Sequence, residues 1–391
     1  MIDGFTPDAG QRPIRLLQPP TISFGVGVAG ECASWLKTRG CGHLVLFVSK
    51  SALAASGDFL PALEAGCRTI TVKTDIPAEP GMSVVTSLLE ELREVRVDAV
   101  VGLGGGSVLD VAKVVCALHG QGRELKSIIG RDAVPPRKTA LVCLPTTAGA
   151  GSEVSPNALL LDESSGRKEA AISPHLIPDA TFIDPSLATS LPPALTAATG
   201  MDALCHCLEA YTNRNSHPVV DHFALEGVRL IATFLEEAVS NGSNLEARSA
   251  VALGSLYGGL CLGPVNTAAV HALSYPLGTN FGLAHGLSNA LLLPHVFAFN
   301  LPAVPRKSAQ IARALGVRLK GDHLVVADEG AKRLFALAEA CGLSLGLAEY
   351  GVSEAKIHFL AEEAMHVQRL LANNPRDVSL EEARSIYLQA L

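Results

Sequence analysis

The chain has 391 residues, too many for one small core and enough for two domains at roughly 100–200 residues each. Hydrophobic residues make up 48% and charged residues 18%, which excludes a disordered chain. Lys and Arg total 31 against 38 Asp and Glu, a net charge of −7, so no nucleic-acid partner is expected, because phosphate contacts need a basic surface.

In chain order, residues 1–10 (MIDGFTPDAG) hold no basic segment leading into an apolar run, so a cytoplasmic protein without a secretory signal is expected. Short apolar runs at 21–24, 43–49 (HLVLFVS), 69–73 (TITVK), 99–103 (AVVGL) and 140–144 (ALVCL) read as strands. Helical patterns at 84–95 and 108–118 lie between them. Strands alternating with helices imply a parallel sheet with helices on its faces. The segment 184–193 (DPSLATSLPP), with three prolines, reads as a hinge. Beyond it come helical patterns at 194–211, 217–239, 245–260, 305–314 and 328–341, and no strand. The expected division is an α/β domain over 1–188 and an all-helical domain over 189–391. The most apolar stretch, 290–299, is broken by Pro294 and His295 and is too short to span a bilayer, so no membrane partner is expected.

Two glycine loops follow strands. Gly25-Val26-Gly27-Val28-Ala29-Gly30 has the G-x-G-x-x-G spacing of a dinucleotide fingerprint, yet the next strand ends in Ser49-Lys50 without the acid that should follow about 20 residues on. It reads equally as a plain strand–helix turn. The second loop is Gly104-Gly105-Gly106-Ser107, opening a helix that contains Asp110. Glycines let backbone N–H groups approach an anion, and the helix N-terminus adds its positive dipole end. Ser107 and Asp110 also have the spacing of a capping box. That alternative needs no ligand, but it leaves three consecutive glycines unexplained. A third loop, Thr146-Thr147-Ala148-Gly149-Ala150-Gly151, follows the strand at 140–144, at the strand end where open α/β sheets bind ligands.

In the helical half, Asp202 and His206 are spaced i and i+4, which puts both on one helix face. His271 and His285 follow. One carboxylate and three imidazoles suit Fe(II), Zn(II) or a similar divalent ion, although one such spacing also arises by chance among 12 histidines. Nine cysteines are scattered without any C-x-x-C, so neither a disulfide framework nor a zinc ribbon is indicated. Cys205 and Cys207, at i and i+2, point to different helix sides and read as small core residues. His295 reads as a core histidine with a backbone partner.

Together the segments 104–113 (GGGSVLDVAK), 145–154 (PTTAGAGSEV), 196–211 (TAATGMDALCHCLEAY), 270–300 and Asn374-Pro375-Arg376 resemble the iron-containing (group III) alcohol dehydrogenase family. They keep that family's order across nearly the whole chain. The resemblance implies a dehydroquinate-synthase-like α/β domain, an all-α domain, and a cleft between them. It implies Asp202, His206, His271 and His285 as ligands of one divalent metal, Fe2+ or Zn2+. It also implies an NAD or NADP site in which Gly104, Gly105, Gly106, Ser107 and Asp110 face the pyrophosphate while Thr146, Thr147 and Lys168 contact the rest of the dinucleotide. The expected substrate is a small-molecule alcohol or carbonyl in a pocket involving Asn157, Leu262 and Leu370, and the expected assembly is a homo-oligomer, a dimer or larger.

Four positions depart from the family pattern. Lys50 stands where many members carry an Asp for the ribose hydroxyls; a lysine attracts a 2′-phosphate, so NADP is expected to be tolerated and the choice between NAD and NADP stays open. Ala150 replaces a Thr. The turn after the third strand reads Pro77-Ala78-Glu79-Pro80. Tyr275 replaces a histidine often assigned to proton relay, and acts either as a catalytic hydroxyl or as a wall; at a pKa of ~10 it is a poor base. Asn280-Phe281-Gly282-Leu283 resembles the maleylacetate reductase branch, whose members generally lack the metal, but Asp202 argues against that branch. A metal-free reductase, a lyase resembling dehydroquinate synthase and a non-catalytic nucleotide-binding protein are the alternatives.

Overall fold

Strands that read as continuous apolar runs belong inside a sheet covered on both faces. The computed structural model describes residues 12–391 and divides them into two compact units, one Leu17–Ser190 and the other Leu191–Leu391 with the segment ending at Leu16. What was expected of residues 1–10 lies outside the described residues.

The first unit holds nine strands: β1 Thr21–Phe24, β2 His43–Val48, β3 Thr69–Lys73, β4 Ala99–Gly104, β5 Gly130–Arg131, β6 Ala140–Pro145, β7 Asn157–Asp162, β8 Arg167–Ile172 and β9 Ala180–Ile183. Six of them form a parallel sheet in the order β1-β9-β6-β4-β2-β3. Successive strand residues face opposite sides, so Val45, Phe47, Val100 and Leu141 enter one apolar layer while Leu44, Leu46, Val101 and Val142 enter the other. Helices α1 Glu31–Thr38, α2 Lys50–Ala55, α3 Phe59–Gly66, α4 Met82–Glu91 and α5 Gly106–Leu118 connect these strands. This is the expected α/β architecture.

A second sheet, β5-β8-β7, was not expected. Its β7–β8 hairpin turns through Gly166 at φ +67°. β8 (RKEAAI) begins with three charged residues, and β9 spans only four residues. Neither gives the apolar run by which the longer strands declare themselves.

Ten α-helices and no strand occur among the described residues after Ser190: α6 Pro193–Thr212, α7 Pro218–Ser240, α8 Leu245–Leu262, α9 Ala269–Phe281, α10 His285–Asn300, α11 Pro305–Ala314, α12 His323–Ala340, α13 Glu354–Met365, α14 Gln368–Leu371 and α15 Leu380–Gln389. α12 starts five residues before the expected 328 because Asp322 caps it, accepting from Leu324 N at 2.8 Å. Among the described residues, no helix is long and apolar enough to cross a membrane.

Candidate metal centre and dinucleotide loop

Helix α6 is buried without interruption from Gly200 to Thr212, an environment in which charged side chains must find partners. Asp202, His206 and Glu209 lie on one of its faces. α10 crosses close by: a Cβ on Gly286 would sit 2.4 Å from the Ala198 carbonyl oxygen, so glycine there lets His285 approach Asp202. The result is a nest of donors. Asp202 Oδ1 lies 3.8 Å from His206 Nε2, 3.6 Å from His271 Nε2 and 3.7 Å from His285 Nε2. The rings of His206 and His271 stack at 4.8 Å, and His285 meets His271 edge-on at 5.3 Å.

The ligand atoms of Asp202, His271 and His285 all lie within 4.8 Å of one another, a spacing that fits a bound ion, and His206 reaches this group at Asp202. Four donors placed tetrahedrally around a metal with bonds of about 2.1 Å lie about 3.4 Å apart. Asn289 Nδ2 occupies the convergence point, donating to Asp202 Oδ1 at 2.7 Å and lying 3.2 and 3.3 Å from His271 and His285 Nε2. Its Oδ1 is buried without a partner, a further oxygen in the same nest. Burial alone would raise the Asp202 carboxyl, but the three histidines hold it well below the usual carboxylate range.

A carboxylate stands behind the nest. Glu209 Oε2 lies 2.6 Å from His271 Nδ1, and its other oxygen accepts from Val270 N at 2.6 Å. Burial disfavours a charged His271, yet Glu209 and Asp202 outweigh it and push the imidazole up to about 9. Cys205 Sγ sits 3.7 Å from the same Nδ1; both Cys205 and Cys207 are fully buried, in keeping with small core residues. Tyr275 follows His271 by one turn of α9, with its ring 5.9 Å from that of His285. Burial pushes its hydroxyl above the normal tyrosine value, against a hydrogen bond from Arg369. His295 packs edge-on against Phe335 with centroids 5.1 Å apart, and no backbone partner is present among the described residues.

In the α/β unit, α5 begins two residues earlier than a capping box at Ser107 requires. Gly105 is the N-cap and no side chain caps the helix. Ser107 Oγ instead accepts from Glu79 N at 3.2 Å. Asp110 turns away from the helix start, accepting from Ser152 Oγ and from Leu159 N at 2.9 Å. The expected capping box is therefore absent, and Asp110 anchors the Ser152–Leu159 backbone. Two of the glycines are also demanded by the protein itself. A Cβ on Gly104 would lie 2.8 Å from Val108, and one on Gly106 would lie 2.7 Å from Ala150 Cβ. Thr147 lies beside Gly105, and Thr146 N donates to the Gly104 carbonyl at 3.0 Å, so the second and third loops form one surface.

Beneath that surface Lys113, fully buried, donates to the carbonyls of Ser152, Ser155 and Asn157. Burial pushes its amine down and the Asp110 carboxyl up, each opposed by the other's charge. Burial also raises Glu153 to about 7. Asn157 keeps a buried Oδ1 without a partner, while Leu262 and Leu370 are buried. Lys168 pairs with Glu79 Oε1 at 2.8 Å, which ties the unusual turn at 77–80 to β8. Lys50, exposed, is the first residue of α2 and pairs with Asp75 at 2.6 Å. That partner offsets the charge expected to attract a 2′-phosphate.

The first glycine loop is closed. Asp184 Oδ2 accepts from Gly27 N at 2.9 Å and Ala29 N at 3.2 Å, so a carboxylate of the chain already fills the place of an anion. Of its two readings, the plain strand–helix turn is correct. The N-terminus of α4 is closed likewise, by Glu163 accepting from Met82 N and Ser83 N at 3.1 Å each. α5 has no such side chain.

Sequence reasoning missed Glu209 and Asn289. Each continues a helical spacing already in view, Glu209 at i+7 from Asp202 and Asn289 at i+4 from His285. Arg369, which meets Tyr275 from α14, carried no local signal.

A family model described as iron-containing alcohol dehydrogenase matches residues 19–185, and one described as the C-terminal part of the Fe-containing alcohol dehydrogenase family matches residues 196–391. The chain is 33% identical to long-chain-alcohol dehydrogenase 1 of Geobacillus thermodenitrificans over 384 residues, covering 95% of each. It is 36% identical to the 1,3-propanediol dehydrogenase of Citrobacter freundii, covering 97% of this chain and 99% of that protein. A solved structure of 1,3-propanediol oxidoreductase superposes with a TM-score of 0.93 at 32% identity, covering 97% of this chain and 100% of the other.

Proposed function

The chain belongs to the iron-containing alcohol dehydrogenase family, and from that premise we propose which residues carry its chemistry. It is an NAD-linked enzyme that interconverts an alcohol and its carbonyl compound with a divalent metal. The metal-free, lyase and non-catalytic alternatives are not favoured. In our reading Asp202, His206, His271 and His285 hold the ion, and iron is that ion. The convergence of three imidazole Nε2 atoms within 3.6–3.8 Å of one buried carboxylate oxygen supports this reading.

When bound, the ion supplies a Lewis acid for the substrate oxygen, and the dinucleotide supplies a two-electron acceptor or donor. The chain does the rest. Glu209 engages His271 Nδ1, which orients the ring so that Nε2 presents its lone pair to the nest. Asp202, held ionised, contributes the one negative ligand. The uncapped amides at the start of α5 and its dipole would hold the pyrophosphate, with Thr146 and Thr147 alongside. Lys113 and Asp110 act as positioning residues for the 152–159 backbone. Tyr275, kept protonated by burial, serves as a hydrogen-bonding wall rather than as a base. Lys50 and Asp75 form a neutral pair at the ribose end, so both NAD and NADP are accepted in this reading.

Elemental analysis of protein loaded with ferrous iron tests the ligand set. About one ion per chain is expected in the wild type, and Asp202→Ala or His271→Ala should lose it together with ~10³-fold of kcat/KM. Full metal content and activity in both variants would reject the assignment.

A further inference from the structure

We infer that Asn289 is a further ligand of the proposed ion, bound through its side-chain oxygen, and that this fifth donor makes the site select Fe2+ over Zn2+. The inference rests on the metal-centre reading above and adds the residue that chooses the metal.

Asn289 lies one turn of α10 beyond His285, on the same helix face, and is fully buried. Its Nδ2 is 2.7 Å from Asp202 Oδ1, 3.2 Å from His271 Nε2 and 3.3 Å from His285 Nε2, so three acceptors face a group with two N–H bonds. Its Oδ1 is buried and has no partner. A buried carbonyl without a hydrogen bond in a native fold calls for an ion, a water or a catalytic role. A half-turn of the planar carboxamide exchanges its two ends, which are nearly equal in size. The oxygen then faces the three acceptors that would hold a cation, and the N–H groups, which a cation repels, point away.

The distances decide whether the amide is a neighbour of the ion or a ligand-to-ligand contact. Separations of 2.7–3.3 Å are too long for an atom standing in the ion's own place, where bonds of about 2.1 Å are needed. They are the spacings of adjacent ligands. Two ligands at right angles about an ion with bonds of about 2.1 Å lie about 3.0 Å apart, and two at 120° lie about 3.6 Å apart. Asp202 Oδ1 is 3.6 Å from His271 Nε2 and 3.7 Å from His285 Nε2, as in a triangle around an ion. The Asn289 amide caps that triangle at the shorter set of distances. One carboxylate and three imidazoles suit either metal, and the amide breaks the tie. Closed zinc sites take four ligands, whereas Fe(II) takes five or six oxygen and imidazole donors, so the extra oxygen adds more to Fe2+ binding than to Zn2+ binding.

Chelator competition on protein titrated with Fe2+ or with Zn2+ tests this. Asn289→Leu, close in size but without a donor, should weaken Fe2+ binding by ~10–100-fold and Zn2+ binding by less than ~3-fold. Co2+ serves as a spectroscopic probe, because its visible bands intensify when coordination falls from five to four. Co2+-loaded Asn289→Leu should absorb several times more strongly than the wild type. Asn289→Asp keeps an oxygen at this position and covers the case in which the leucine variant does not fold. It should show the weak wild-type Co2+ bands and bind Fe2+ at least as tightly. Equal losses of Fe2+ and Zn2+ affinity in Asn289→Leu, or an unchanged Co2+ spectrum, would reduce the amide to a hydrogen-bond donor for Asp202 and overturn the inference. Loss of the ion in Asn289→Asp would overturn it as well. Asp202→Ala separates the two readings: if it kept its Fe2+, the metal-centre assignment would fall. If it lost Fe2+ while Asn289→Leu kept both affinities, only the role of Asn289 would fall.

Discussion

The start of α5 offers a ligand backbone N–H groups and glycines, whereas α6, α9 and α10 offer charged and imidazole side chains. The first site is therefore sensitive to added atoms and the second to removed ones. A nearer contrast lies within the α/β unit, where Asp184 closes one glycine loop and the loop before α5 stays open. A G-x-G-x-x-G spacing is no evidence of a phosphate site when the fold returns a carboxylate of its own to those amides.

Three substitutions probe this contrast. The largest effect is expected at Glu209, which acts only through His271. Glu209→Gln should weaken metal affinity by ~10–100-fold while leaving NAD+ binding unchanged, as read by a competitive chelator titration. A loss of NAD+ affinity instead would erase the distinction between the two sites. Next comes Gly106→Ala, whose Cβ would meet Ala150 Cβ at 2.7 Å. It should raise KM for NAD+ by ~10-fold with metal content intact, and Ala150→Gly in the same chain should recover most of that. Failure of the second change to rescue the first would separate the loop from its presumed neighbour.

The smallest effect is on stability. Burial lifts the folded pKa of Glu153 to about 7, above the unfolded value of ~4.3. Between those values the folded chain binds more protons than the unfolded one, so this group's contribution falls as pH rises and is flat above 7. Glu153→Gln should therefore raise Tm by several °C, on the order of 5 °C, at pH 8 and by almost nothing at pH 4.5. An equal gain at both pH values would point to packing rather than charge.

Much of the proposed site was legible because the proposed ligands Asp202 and His206 obey helical spacing. Asp202 and His206 announce a shared face, and the same rule extended to Glu209 and Asn289 once the burial of α6 and α10 was known. Ser107 and Asp110 misled for the opposite reason: their spacing is that of a capping box, but close packing of Gly106 on Ala150 lets the helix begin at Gly106 and turns both side chains to other partners. The long buried strands of the parallel sheet were plain in sequence. The β7–β8 hairpin was not, because β8 opens with Arg167, Lys168 and Glu169, and the pairing that makes it a strand comes from β7. Lys50 and Arg369 were beyond local reading, since the partner of each, Asp75 and Tyr275, comes from a different stretch of the chain.

The central claim is that one ion sits among Asp202, His206, His271 and His285. X-ray diffraction recorded at the iron absorption edge, from crystals grown with ferrous iron, tests it most directly. One anomalous peak is predicted, about 2.0–2.3 Å from Asp202 Oδ1 and from each of the three Nε2 atoms. A peak outside that nest, or no peak in crystals of protein that still reduces NAD+, would contradict it.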